Sequence, residues 1–208
     1  MSARKKIAAV ITEYRESAHA DVIVGKFIKG FPTDEGLIAP RVDIASMYLD
    51  QIPENDIGLA LAEKYGIPVY RSIRQALCLG GDELAVDGVL AIGEHGSYAF
   101  NEKGQHLYPR RYFFEQICGV IATSGRAIPV FNDKHLSYNW DEAKWMYERA
   151  AALKIPLMAG SSVPLFWRDP WLEHDLEAPI EEAIVLGIKG MDGFGFHALE
   201  ALQTMVER

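Results

Sequence analysis

Six short, largely apolar runs recur along this chain without strict polar alternation, and helix-like stretches separate them. They are residues 7–11 (IAAVI), 41–48 (RVDIASMY), 67–70 (IPVY), 86–92 (VDGVLAI), 128–131 (IPVF) and 155–159 (IPLMA). Runs of this kind suit strands buried on both faces, as in a parallel sheet covered by helices on either side. The stretches between them carry helix signals. Asp56 precedes IGLALAEKYG, and Gly66 stands where a left-handed C-terminal cap belongs. Ser72 to Gln75 and Asn139 to Glu142 read as capping boxes. The second opens a helix to about Leu153, with Ala143, Met146, Tyr147 and Ala150 on one face. Residues 110–123 place Phe113, Phe114, Ile117, Val120 and Ile121 on another amphipathic helix. The expected fold class is α/β: a doubly wound, mostly parallel Rossmann-like sheet with helices on both faces.

The 208 residues allow one such domain plus a short appendage. We place the domain at 1–165 and a remnant of a second domain at 166–208. In the last third of the chain, 161–180 reads as a Pro- and Trp-rich loop, EEAIVLGIKG (181–190) as a strand and FGFHALEALQTMVER as a helix. Phe196, Leu199, Leu202 and Met205 or Val206 share a face of that helix, so the chain ends on a helix or is part of a longer protein.

The formal net charge of −8 makes nucleic acid a poor partner. No apolar run approaches the roughly 18 residues that span a bilayer, and the five-residue IAAVI is too short for an export signal. Cys78 and Cys118 lie far apart in apolar patterns without metal-ligand spacing, which reads as two buried, reduced thiols. A cytoplasmic homo-oligomer with a small-molecule ligand is the expectation.

In a doubly wound sheet, ligands bind outside the C-terminal strand ends. The loops there are Thr12-Glu13-Tyr14-Arg15, Gly93-Glu94-His95-Gly96, Asn132-Asp133-Lys134-His135 and Ser161-Ser162. Glu94, His95, Lys134 and His135 are the candidate catalytic residues, because imidazoles, a carboxylate and a lysine together suit proton transfer. A polar network that only caps the next helix is the structural alternative. Glu94, His95 and His135, with His19 or His197, also offer ligands to a divalent metal, although no recognised metal motif exists. The long loop carrying Tyr98, Asn101, Tyr108, Arg110 and Arg111 is placed to cover a substrate, as aromatics stack on sugars and arginines bind acids. Ser161, Trp167, Arg168 and His197 complete the candidate substrate contacts.

Three segments resemble the Gfo/Idh/MocA oxidoreductases over roughly residues 5–165. They are LALAEKYGIPVYRSIRQAL (59–77), VDGVLAIGEHGSY (86–98) and IPVFNDKHLSYNWDEAKWMYERAAALKIPLMAGSS (128–162). The third matches in strand, lysine loop, capped helix and following strand. The resemblance sets Lys134 at the lysine of that family's Glu-Lys-Pro motif, near nicotinamide and substrate. It sets Asp133 at the glutamate, His135 in place of the proline and Asp50 at the ribose-binding acid. It implies NAD or NADP, with Thr12, Glu13, Asp50, Gly93 and Asp133 as contacts, and a sugar or polyol substrate. The chain departs from the family after the first strand. Residues 8–24 contain no glycine, and Glu13 puts a negative charge where a pyrophosphate would lie. Three functions stay open: a nicotinamide-dependent sugar oxidoreductase, a cofactor-independent or metal-assisted acid–base enzyme on a carbohydrate-like substrate, and a non-catalytic ligand-binding or assembly protein.

Overall fold

The computed structural model describes residues 4–160, 163, 168, 169, 171 and 174–207. Its strands are β1 (Lys5–Ile11), β2 (Phe31–Thr33), β3 (Gly36–Ile38), β4 (Val42–Leu49), β5 (Val69–Tyr70), β6 (Gly88–Ile92), β7 (Val130–Asp133) and β8 (Leu157–Gly160). Six of them form one sheet in the order β5-β4-β1-β6-β7-β8, every neighbouring pair parallel. That order is the doubly wound Rossmann arrangement. The strands at 69–70, 130–133 and 157–160 begin about two residues later than the apolar runs. Pro68, Pro129 and Pro156 lack an N–H, so the ladder starts after each of them.

The helices are α1 (His19–Lys29), α2 (Gly58–Tyr65), α3 (Ile73–Leu77), α4 (Arg110–Ser124), α5 (Trp140–Ala152) and α6 (Phe196–Val206). Their ends follow the sequence signals. Gly66 is left-handed at φ 64°, Ser72 accepts from Gln75 N, and Asn139 accepts from Asp141 N and Glu142 N.

Two cores result. On one sheet face Phe113, Phe114, Ile117 and Ile121 of α4 and Met146 and Ala150 of α5 close over Ala8, Val10, Val89 and Val130. On the other, Ala20 and Val24 of α1 and Ala62 of α2 pack on Ala9, Ile11, Met47 and Ile92. Cys78 and Cys118 are buried, free thiols, and burial pushes Cys118 up to about 11. Among the described residues no helix is long and apolar enough to cross a membrane.

After α1, β2 and β3 form a hairpin paired antiparallel from Phe31↔Ile38 to Thr33↔Gly36. One reading is corrected. The strand expected at 181–190 does not form. That segment has no partner strand among the described residues and is followed by a π-helical turn, Met191–Gly195, leading into α6. A strand needs a neighbour for its backbone groups, and none of the described strands lies beside it.

Candidate functional site

The C-terminal ends of β1, β6 and β7 lie side by side, so the loops that follow them meet. Two residues there are non-glycine and left-handed: His95 at φ 70° after β6 and Lys134 at φ 61° after β7. Such backbone is costly and collects at functional sites. Here it is over-determined: Lys134 N donates to Gly160 O at 2.9 Å, and Thr12 Oγ1 donates to Glu94 O at 2.7 Å.

Glu94 is the hub. Lys134 Nζ donates to its Oε1 at 2.8 Å, and Arg110 Nη2 donates to its Oε2. Arg110 Nη1 continues to His135 Nε2 at 3.1 Å. Arg110 is only 2% exposed, and Glu94 and Lys134 are also buried. Gly93 makes room for this arrangement, because a Cβ there would stand 2.6 Å from Arg110 Cγ. Burial pushes the Glu94 carboxyl up, but Arg110 and Lys134 outweigh it and hold the group below its ordinary value, ionised at neutral pH. Burial, aided by Arg110, pushes His135 down to about 4, so the ring is neutral. With Nε2 accepting, its proton sits on Nδ1, a buried donor without a partner.

His95 does not join Lys134 and His135. It turns toward α1, where its ring meets that of His19 edge-on at 5.3 Å. Burial, opposed by Glu94, lowers its pKa. His19 Nδ1 donates to the buried Asp133 at 2.6 Å. Phe196 of α6 packs on His135 at 5.3 Å between centroids, and burial and Lys134 lower the pKa of the neighbouring His197.

A cleft of about 300 Å³ opens over this cluster, walled by Glu94, Lys134, Arg110 and His135 and by aromatic groups. Phe100 stacks on His106 and Tyr108 meets His106 at a tilt, each at 4.1 Å between centroids, and the Arg110 guanidinium lies 4.9 Å from the Tyr108 ring centroid. Phe194 and Asp192 close the far side, with Asp192 accepting from His106 N at 2.9 Å. A hollow of about 360 Å³ beside Arg74 and Arg126 is of another kind. Those arginines are spent on the backbone oxygens of Asp82, Leu84 and Val86.

The remaining candidates separate. Tyr108 and Arg110 line the cleft. Asn101 closes its own turn, accepting from Lys103 N and Gln105 N. Arg111 stands over the Trp145 ring at 3.4 Å and pairs with Glu115, joining α4 to α5 outside the cleft. Arg168 is not among the cleft residues, and Ser161 and Trp167 fall outside the described residues. No group of three or more His, Cys, Asp or Glu among the described residues is arranged to hold a metal, and Glu94 is already claimed by two cations. Sequence reasoning placed Arg110 and the aromatic loop at the substrate but did not pair Arg110 with Glu94, and it did not single out Phe100, His106 or Phe194 as contacts.

The residues that follow β1 and β4 do not fit a dinucleotide. Glu13 is buried and paired with Arg15, and Asp21 of α1 accepts from Ser17 N at 3.1 Å, taking a backbone donor a phosphate would use. Asp50 accepts from Tyr48 at 2.6 Å and Tyr98 at 2.7 Å. Gln51 exchanges two hydrogen bonds with Ser97. These contacts carry the loop after β6 across the end of β1, where a pyrophosphate would lie.

The neutral His135 has a measurable consequence. Its folded pKa of about 4 lies below the ordinary value of 6.5. Between those values the unfolded chain binds more protons, so stability is lost as pH falls from 6.5 toward 4. His135→Gln should flatten that part of a pH–stability curve measured by urea unfolding, and an unchanged slope would place the effect elsewhere.

No family model matches the chain, and no curated protein matches it in sequence. Among solved structures it is similar, at low identity, to the following three. GenD2 of gentamicin A biosynthesis, solved in complex with NAD, is 21% identical at a TM-score of 0.47 over 77% of this chain and 35% of its own. The UDP-N-acetylglucosamine 3-dehydrogenase GnnA from Acidithiobacillus ferrooxidans is 11% identical at 0.48 over 76% and 39%. The dehydrogenase MviM from Clostridium difficile is 11% identical at 0.47 over 76% and 39%. This chain thus spans little more than a third of each, and the likeness is one of fold.

Proposed function

We propose that this chain binds a sugar or polyol in the cleft above β6 and β7 without a dinucleotide. One observation carries the reading: a buried Lys134–Glu94–Arg110–His135 chain, hung on a left-handed Lys134, opens into an aromatic-walled cleft. Lys134 spends two of its three hydrogens on Glu94 and Gly193 O and has a third for a ligand oxygen. His135, neutral, holds the Arg110 guanidinium in place through Nε2. Asp133 fixes the ring of His19 beside the cluster, outside the residues that wall the cleft. Phe100, 64% exposed at the cleft rim, offers its face to the C–H side of a pyranose.

A second reading, a nicotinamide-dependent oxidoreductase, keeps one point in its favour: Lys134 ends β7 in the cleft, the place the sequence resemblance gives to a lysine beside nicotinamide and substrate. Saturation-transfer NMR against a panel of pyranoses, polyols and sugar acids, run beside an NADH fluorescence titration, separates the two. We expect saturable contact with at least one carbohydrate, weakened about tenfold in Phe100→Ala, and no saturable NADH signal. Saturable NADH binding sinks the first reading and restores the second. Silence toward the whole panel sinks both and leaves an assembly scaffold.

A further inference from the structure

Resting on the carbohydrate reading of this cleft, we propose that it takes an uncharged aldose or polyol and that Asp192 turns away sugar acids and sugar phosphates. The Asp, Glu, Lys and Arg side chains that wall the cleft are Glu94, Arg110, Lys134 and Asp192. The first three carry one net positive charge, and Asp192 on the far side cancels it. The cations are also spent. Arg110 gives Nη2 to Glu94 and Nη1 to His135, and at 2% exposure it presents no free fork to an incoming anion. Lys134 is paired with Glu94 and donates to Gly193 O at 3.4 Å, so its charge is already matched.

Asp192 is only half-used. Its Oδ2 accepts from His106 N at 2.9 Å, and its Oδ1 takes no hydrogen bond among the described residues. Burial first, and then the charges of Glu94 and Asp192, raise the Tyr108 phenol to about 12, so the field of Asp192 is felt on the opposite wall. Its neighbour Gly193 meets Lys134, which brings the two groups to one end of the cleft. A hydroxyl there can accept from the third hydrogen of Lys134 and donate to Asp192 Oδ1, because it holds both a hydrogen and lone pairs. An ionised carboxylate or phosphate only accepts, and it would meet Asp192 as a second acceptor of like charge. Outside the cleft Glu102 and Lys103 offset each other. Lys189, 5.0 Å from the Phe194 centroid, is exposed and screened by solvent.

Saturation-transfer NMR titrations at pH 7 test this with one ring in three forms: glucose, glucuronate and glucose 6-phosphate, and the galactose set beside it. In the wild type the uncharged form should bind at least about tenfold more tightly than either anion. Asp192→Asn keeps an oxygen for His106 N and removes the charge, so it should bring the anions to within about threefold of the uncharged form. Far-UV circular dichroism checks the fold of the variant, and the wild-type ranking is a test without it. Anions that bind the wild type as tightly as the uncharged ring overturn the proposal, as does a ranking that Asp192→Asn leaves unchanged, and in both cases the carbohydrate reading survives. If no form of either ring binds, and the wider panel is silent too, the carbohydrate reading itself falls and takes this proposal with it.

Discussion

Glu94→Gln should destabilise the fold by about 3–5 kcal/mol, the cost of leaving a buried charge without its partner. The carboxylate is the counter-charge contacted by both Arg110 and Lys134, and glutamine keeps its shape while removing that charge. The loss should appear as a fall of roughly 1–4 M in the urea midpoint at pH 7. The pH dependence has a definite sign. The folded pKa of Glu94 is depressed, so its stabilisation is present above the ordinary carboxylate range and is lost as pH falls through the lowered value. The wild type therefore gains an acid limb below that of His135, and the glutamine variant lacks it. Adding Lys134→Met to Glu94→Gln should cost less than the sum of the single changes, since two of the three charges then leave together. An unaltered midpoint in Glu94→Gln would show that the cluster is not sealed from water.

Phe114→Ala is the second large effect, again about 3–5 kcal/mol. Phe114 is fully buried on the inner face of α4, in the core that also holds Phe113, Ile117 and Met146. Its removal leaves a hole between helix and sheet that close-packed neighbours cannot fill. Phe100→Ala is the matching control. That ring stands largely in solvent at the cleft rim, and its loss should stay within about 0.5 kcal/mol. Urea unfolding of both variants checks the contrast. A cost under about 1 kcal/mol for Phe114→Ala would mean that α4 is not packed on the sheet.

The sequence carried the sheet because each strand is written locally. An apolar run flanked by a capped helix has few other stable uses, and Gly66, Ser72 and Asn139 marked helix ends that the structure keeps. Chain order then fixed strand order through the handedness of the crossovers. The hairpin after α1 was hidden because PTDEG, which runs from β2 through the Asp34-Glu35 turn into β3, looks like a plain turn. The strand expected at 181–190 illustrates the opposite failure: alternation in sequence says nothing about whether a neighbour exists to pair with. The site was half legible. Placing Glu94 and Lys134 on adjacent strand ends was enough to predict that they share a crevice. Backbone sign was not legible, and the left-handed turn at His95 sends that ring toward His19 rather than His135. Side chains that arrive from afar, such as Arg110 from the start of α4 and Asp192 from just before α6, leave no spacing signature beside the strands they serve.

The segment between β6 and α4 is fastened at both ends before any ligand arrives. Gln51 and Asp50 hold it at Ser97 and Tyr98, and Asp192 holds it at His106. A wall fixed this way loses its conformational freedom during folding rather than during recognition. Capture should then run at a rate set by diffusion into a standing socket, with no gating step for a slow phase to report.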